Sequence, residues 1–112
     1  MFPKREHLLF INTFVLRIIA KRTLREFWDK HPDCIQALKA WHREVDKANW
    51  ANAHDIKRYY PSASVLGEGR VVFNIKGNKY RLIVKCNFDF QIIWIRFIGT
   101  HAEYDKIDAS SI

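Results

Sequence analysis

The sequence predicts an α+β domain in which two N-terminal helices pack on one face of an antiparallel sheet, and three observations predict it. Apolar residues between Thr23 and Ala48 recur at spacings of three and four, the period of a helix. From Arg70 onward the character changes to short runs rich in β-branched and aromatic residues, the composition of strands. Gly77-Asn78 separates two of those runs, which is the composition of a tight hairpin turn. The chain has 112 residues, 48% of them hydrophobic, with 8 Phe, 4 Tyr and 4 Trp. That is enough for one domain with a real core, and it excludes a wholly disordered chain.

The elements follow in order. Residues 1–13 read as an arm ahead of the domain, which runs over 14–112. "MFPKREHLLFINTFVLRIIA" has the basic-then-apolar outline of a secretory signal, but Asn12 and Arg17 interrupt it and the run is too short for a bilayer. "FVLRIIA" (14–20) reads as the first strand. Thr23 and Glu26 have the spacing of a capping box for a first helix that carries Leu24, Phe27 and Trp28 and stops near Pro32. Asp33 is placed to cap the second helix, whose apolar face is Ile35, Leu38, Trp41, Val45 and Ala48. Its opposite face, Lys39, His42, Arg43, Asp46 and Lys47, is expected in solvent. "AHDIKRYY" makes a short helical turn before Pro61, and strands follow at "RVVFNIK", "KYRLIVKC" and "QIIWIRFI".

A two-residue loop at Gly77-Asn78 pairs Lys76 with Lys79, Asn74 with Arg81 and Val72 with Ile83. One face of the hairpin then carries Asn74, Lys76, Lys79, Arg81 and Lys85, while Val71, Phe73, Ile75, Tyr80, Leu82, Val84 and Cys86 face the helices. The like-charged Lys76–Lys79 pair costs stability, so stability does not ask for it. The chain as a whole carries a formal charge of +7, and between Arg70 and His101 six Lys and Arg face a single carboxylate, Asp89. Such a face attracts phosphates, and Asn74, Lys76, Lys79, Lys85 and Arg96 are the candidates for holding RNA. Arg96, grouped on its strand with Ile92, Trp94 and Ile98, is either buried against a carboxylate or aimed into a cleft.

Beyond the last strand, Gly99 is read as a sharp turn. His101, Glu103, Tyr104 and Asp105 follow, and in a helical turn His101 lies three from Tyr104 and four from Asp105. An imidazole exchanges a proton near neutral pH. With cations nearby, this is a set of groups able to cut RNA through its own 2′-hydroxyl without a metal or any other cofactor, with His101, Arg81 and Tyr104 as the catalytic candidates. Other chemistries are poorly served. His31 and Cys34 have Pro32 between them and no second ligand pair, and Cys86 falls on the apolar face, where a thiol is inert. Cys34 and Cys86 form no disulfide framework, in keeping with a reducing cytoplasm.

"RVVFNIKGNKYRLIV" (70–84) followed by "IRFIGTHAEYDKID" (95–108), together with "RIIAKRTLREFWDKHPD" (17–33) and "DIKRYYPSAS" (55–64), resembles the HigB toxins of bacterial type II toxin–antitoxin modules, within the RelE-like superfamily. The resemblance covers about residues 17 to 109 and leaves residues 1–15 as an addition to the family pattern, either an upstream start or an extension of the first strand. It implies a RelE-like curved antiparallel sheet with two N-terminal helices packed on one face. It also implies an mRNA interferase acting on the translating ribosome in the bacterial cytoplasm. The partner implied is a HigA-like helix-turn-helix antitoxin, with operator DNA bound only through their complex and no membrane involved. Arg81 matches the basic residue set against the phosphate, and Lys76 and Lys79 the hairpin lysines near RNA. His101 falls where several relatives keep an arginine or another polar catalytic residue, and Tyr104 is a candidate to stack on a base or relay a proton. Two other readings use the same face without catalysis, a plain RNA-binding module and a domain that binds only its antitoxin.

Overall fold

The computed structural model describes residues 17–112. Its elements are β1 (Arg17–Ile19), α1 (Lys21–Lys30), a 3-10 turn (Pro32–Cys34), α2 (Ile35–Asp46), α3 (Ala53–Tyr59), β2 (Ser64–Val65), β3 (Arg70–Ile75), β4 (Tyr80–Asn87), β5 (Ile92–Thr100) and α4 (His101–Tyr104). The sheet order is β1-β5-β4-β3-β2. All neighbours are antiparallel except β1, which runs parallel to β5 with Ile18 opposite Ile93. This is the expected α+β architecture. The arm at 1–13, and residues 14–16 of the strand expected over 14–20, lie outside the described residues. No helix among the described residues is long and apolar enough to cross a membrane.

The two main helices start where backbone geometry, not side-chain capping, permits. α1 begins at Lys21, two residues before the expected Thr23 cap. Ala20 supplies the turn by adopting a left-handed conformation (φ 75°), and its carbonyl accepts from the Thr23 amide at 3.0 Å. Thr23 thus lies inside the helix, and Glu26 pairs with Arg22 at 3.2 Å on the exposed surface. α1 does end ahead of Pro32. Asp33 does not cap α2: it sits in the 3-10 turn, Cys34 holds the cap position without a side-chain bond, and the Asp33 carboxylate is engaged elsewhere. α2 buries Leu38, Trp41 and Val45 as its spacing predicts, with Ile35 and Ala48 half-buried. His42 departs from the expected solvated face. It is half-buried in a cleft of about 330 Å³ with Leu24, Arg25 and Trp28, and its pKa is lowered by burial and by Lys21.

These helices cover Val71, Phe73 and Ile75 of β3, Leu82, Val84 and Cys86 of β4, and Ile93 and Ile95 of β5. The hairpin register is the expected one, with Asn74 opposite Arg81 and Val72 opposite Ile83. The turn itself is longer. The last ladder pair is Ile75–Tyr80, so Lys76 to Lys79 form a four-residue connection and the two lysines are not a ladder pair. Lys76 (φ 53°) and Gly77 (φ 64°) are both left-handed, and the Lys79 amide closes the turn on the Lys76 carbonyl at 3.2 Å. For a lysine that conformation costs roughly 1–2 kcal/mol.

β5 carries a bulge. Val84 faces Ile95 and Ile83 faces Phe97, which leaves Arg96 without a ladder partner. The bulge reverses the alternation: Ile98 turns to the helix side opposite Leu82, while Phe97 and Gly99 take the other face. The expected grouping of Arg96 with Ile98 is therefore not met. That other face is not an open charged surface either. Val72, Ile83, Arg70 and Arg81 are buried on it, and the C-terminal segment returns to it, with Arg70 Nε donating to the Ile112 carbonyl at 2.9 Å.

Leu38 has no exposed surface and lies between the two layers. Leu38→Ala is expected to cost about 2–5 kcal/mol of unfolding free energy, against a change within about 0.5 kcal/mol for exposed Lys39→Ala, both read by urea unfolding.

Candidate functional site

The end of β4, the turn before it and α4 after β5 meet at one corner of the sheet. Arg81 stands second on β4, opposite Asn74 on β3 and Gly99 on β5. His101 opens α4, and its backbone amide donates to the Lys79 carbonyl at 3.1 Å. Tyr104 closes the same helix with its ring 5.7 Å from the Arg81 guanidinium carbon. Of the sequence candidates, Arg81 and Tyr104 meet through their side chains; Asn74 is the ladder neighbour of Arg81, His101 joins through its backbone amide, and Lys76 and Lys79 lie in the turn before β4. Lys85 and Arg96 do not join them. Lys85 is four residues farther along β4, about 13 Å at the rise of a strand. Arg96 is an exposed residue at the bulge and has no carboxylate partner among the described residues, so of its two expected settings burial against a carboxylate is not met.

Arg81 is 9% exposed. Its Nη2 donates to Asn78 Oδ1 at 2.6 Å and its Nη1 to the Asn78 carbonyl at 3.0 Å. The turn residue Asn78 therefore orients the guanidinium. No carboxylate among the described residues lies within salt-bridge distance of it. A cation removed from water with only neutral partners and an aromatic ring has not had its charge compensated. An incoming anion would compensate it.

α4 is built by a capping box the sequence reading passed over, "THAE" at 100–103. Thr100 Oγ1 accepts from the Glu103 amide at 3.1 Å, and Glu103 Oε1 accepts from the Thr100 amide at 2.8 Å. This answers why polar residues crowd the end of the strand: Glu103 starts the helical turn that presents His101 and Tyr104. Gly99 plays a part other than the expected turn. It lies within β5 and has no positive φ. What matters is its missing side chain, since a Cβ there would stand 2.5 Å from Phe97 Cζ and 2.9 Å from Glu103 Oε1.

His101 Nδ1 lies 3.1 Å from Asp105 Oδ2, the four-residue pairing expected. The carboxylate accepts, so Nδ1 carries the hydrogen in the neutral ring and Nε2 keeps its lone pair; this tautomer is assigned from the partner.

Asp33 is a site neighbour that sequence reasoning missed. Its Oδ2 accepts from Lys79 Nζ at 2.5 Å and its Oδ1 from the Tyr80 hydroxyl at 2.6 Å. Those bonds hold the Asp33 carboxyl down at about 2, and Asp33 in turn raises the pKa of Lys79 and of Tyr80. Phe27, His31 and Tyr80 pack as three rings beside this contact, with Phe27 and His31 stacked at 4.3 Å. Lys79, read as a lysine for RNA, is thus already half of an ion pair. Nothing in the sequence distinguishes Asp33 from a helix cap, because its partners are far along the chain. Both cysteines are buried free thiols. Cys34 donates to the His31 carbonyl, and burial pushes Cys86 up to about 12. Among the described residues no three His, Cys, Asp or Glu side chains converge as a metal ligand set.

The sequence model of the HigB_toxin family, described as the RelE-like toxic component of a toxin–antitoxin system, matches residues 34–107, a span that includes every residue of this corner except Asp33. Over 96 residues the chain is 27% identical to the mRNA interferase toxin HigB of Escherichia coli strain K12, covering 84% of this chain and 92% of that protein. The figures are the same for the mRNA interferase HigB of Shigella flexneri. For the mRNA interferase HigB of Escherichia coli O6:H1 strain CFT073 they are 26% over 94 residues, 82% of this chain and 91% of the relative.

The lowered Asp33 pKa gives a signed expectation. A depressed carboxyl stabilises the fold above its unfolded pKa, near 4, and the contribution disappears as pH falls through the folded value, about 2. Asp33→Asn should therefore unfold at lower urea than the parent at pH 6, and the gap between their midpoints should close as the pH is lowered from about 4 toward 2.

Proposed function

The chain belongs to the HigB toxin family, the RelE-like toxic components of toxin–antitoxin systems, and from that premise we propose that it is an endoribonuclease, an mRNA interferase cutting message on the ribosome. The observation that carries the proposal is Arg81, a buried guanidinium with no carboxylate partner among the described residues, with the Tyr104 ring against it and His101 on the same helical turn as Tyr104. The curated relatives bear the name mRNA interferase, which agrees with it.

In the mechanism we propose, the 2′-hydroxyl of the target nucleotide attacks its own 3′ phosphate and the 5′ oxygen of the next nucleotide leaves. Two protons must move, one off the 2′ oxygen and one onto the 5′ oxygen. His101 exchanges one of them through Nε2, with Asp105 fixing the ring through Nδ1. Tyr104, on the same turn, is placed to relay the second or to stack on a base. Arg81 neutralises the phosphorane that forms between attack and departure, and because the guanidinium is itself largely removed from water its charge acts more strongly than it would in solvent. A guanidinium in that role removes the need for a metal. Lys76 in the turn and Lys79 at its base flank the path of the RNA backbone. Toxin–antitoxin membership implies an antitoxin partner; we propose a HigA-like helix-turn-helix protein, through which alone the complex reaches operator DNA, all within the bacterial cytoplasm.

The test is induced expression of the parent, His101→Ala, Arg81→Ala and Arg81→Lys, with mRNA 5′ ends mapped and soluble protein matched. The parent should arrest growth and create new internal ends. Loss of one acid–base or oxyanion-type group should cut the rate about 100-fold or more. The fragments should end in 2′,3′-cyclic phosphate and 5′-hydroxyl, and a 2′-deoxy nucleotide at the cut should block cleavage. Soluble, folded parent protein that makes no new ends would overturn the nuclease reading.

A further inference from the structure

The bulge at Arg96 gives this corner an aromatic side chain that the proposed chemistry leaves unused. Because Arg96 is skipped in the ladder, Phe97 stands opposite Ile83 and Gly99 opposite Arg81, so Phe97 shares the face of Arg81 and not that of the helices. Its ring occupies the space where Gly99 has no side chain. A Cβ built on Gly99 would meet Phe97 Cζ at 2.5 Å and Cε2 at 3.1 Å. The ring therefore lies across the backbone of the residue paired with Arg81. Phe97 is half-buried, yet it is not among the side chains packed against the main core. Tyr104 places a second ring within 5.7 Å of the guanidinium carbon.

Resting on the nuclease reading above, we propose that Phe97 is a stacking platform for a nucleobase next to the phosphate that Arg81 holds. The class of ligand follows from the chemistry. Unpaired bases of single-stranded RNA are taken up on aromatic faces, and a phenyl ring accepts any base because every base has a π-face. Bulges re-aim side chains beside active sites, and this one turns a phenyl ring from the core side to the side of an uncompensated cation. The platform contributes grip and register, leaving proton transfer to α4.

The test uses the purified full chain and bacterial ribosomes programmed with a synthetic mRNA in which one base at a time near the cut is replaced by an abasic ribose. The variants are Phe97→Leu, Phe97→Trp and Gly99→Ala, each checked for a cooperative thermal transition. Phe97→Leu should raise KM about tenfold with kcat within about twofold, and Phe97→Trp should stay close to the parent. Gly99→Ala, whose added Cβ meets both the Phe97 ring and the Glu103 oxygen that caps α4, should raise KM and lower kcat together. An abasic ribose at one position should weaken the parent by a similar factor and add nothing in Phe97→Leu. An unchanged KM in folded Phe97→Leu, or an abasic penalty of full size at every position in that variant, would overturn the platform. Should the parent fail to cut at all, the nuclease reading fails on its own. Fluorescence anisotropy with the same oligonucleotides then decides the platform: an abasic difference that vanishes in Phe97→Leu supports it, and one that persists overturns it.

Discussion

Five consecutive residues of β4, Tyr80 through Val84, are buried, so any side chain this strand carries must give up most of its water. Leu82 and Val84 do so at a gain, since the helices cover them. Arg81, on the opposite side, does so at a cost that three bonds to neutral oxygens only partly offset. The turn before it supplies two of those oxygens, both from Asn78, and the turn must hold its shape, which constrains Lys76 and Gly77 to left-handed conformations. The desolvated guanidinium thus organises the hairpin, and the hairpin organises the corner.

The corner is assembled on regular structure. Arg81 is on a central strand, His101 and Tyr104 are on a helical turn fixed at both ends of a capping box, and the His101 amide is bonded to the turn that orients Arg81. Groups carried this way are placed more accurately than groups on free loops. Asp33 extends the bracing to the other layer: from the corner between α1 and α2 it grips Lys79 and Tyr80 on the near side of the same turn.

Legibility from sequence divided along physical lines. The hairpin register could be read because a glycine-asparagine turn and strict alternation leave only one pairing that buries Phe73 and Leu82 together. The face of α2 could be read because Leu38, Trp41 and Val45 keep the helical period. The start of α1 could not, since an alanine in a left-handed conformation leaves no trace in composition. Nor could the bulge: "QIIWIRFI" is apolar at almost every position, so its pattern marks no skipped residue, and only the partner strand shows that Arg96 is passed over. Of the candidate site, Arg81, His101 and Tyr104 came together because each is local to the hairpin or to its neighbour in the sheet. Lys85 and Arg96 entered through charge and strand face, which record sign and side but not distance along a strand.

The parallel pairing of β1 with β5 has a consequence for how the molecule forms. Arg17 meets Ile92, and nearly the whole domain lies between them. A strand that waits so long for its partner contributes a contact of high sequence separation, the kind that slows folding most. During synthesis α1 and α2 emerge early, but the strand beside which β1 will settle appears only after the hairpin has been made. β5 also carries α4 at its end, so the strand that closes the sheet on that side is the one that delivers His101 and Tyr104. The strand that gives β1 its partner and the strand that brings α4 beside Arg81 are therefore one and the same, and both arrangements wait until residues 92–104 have been made.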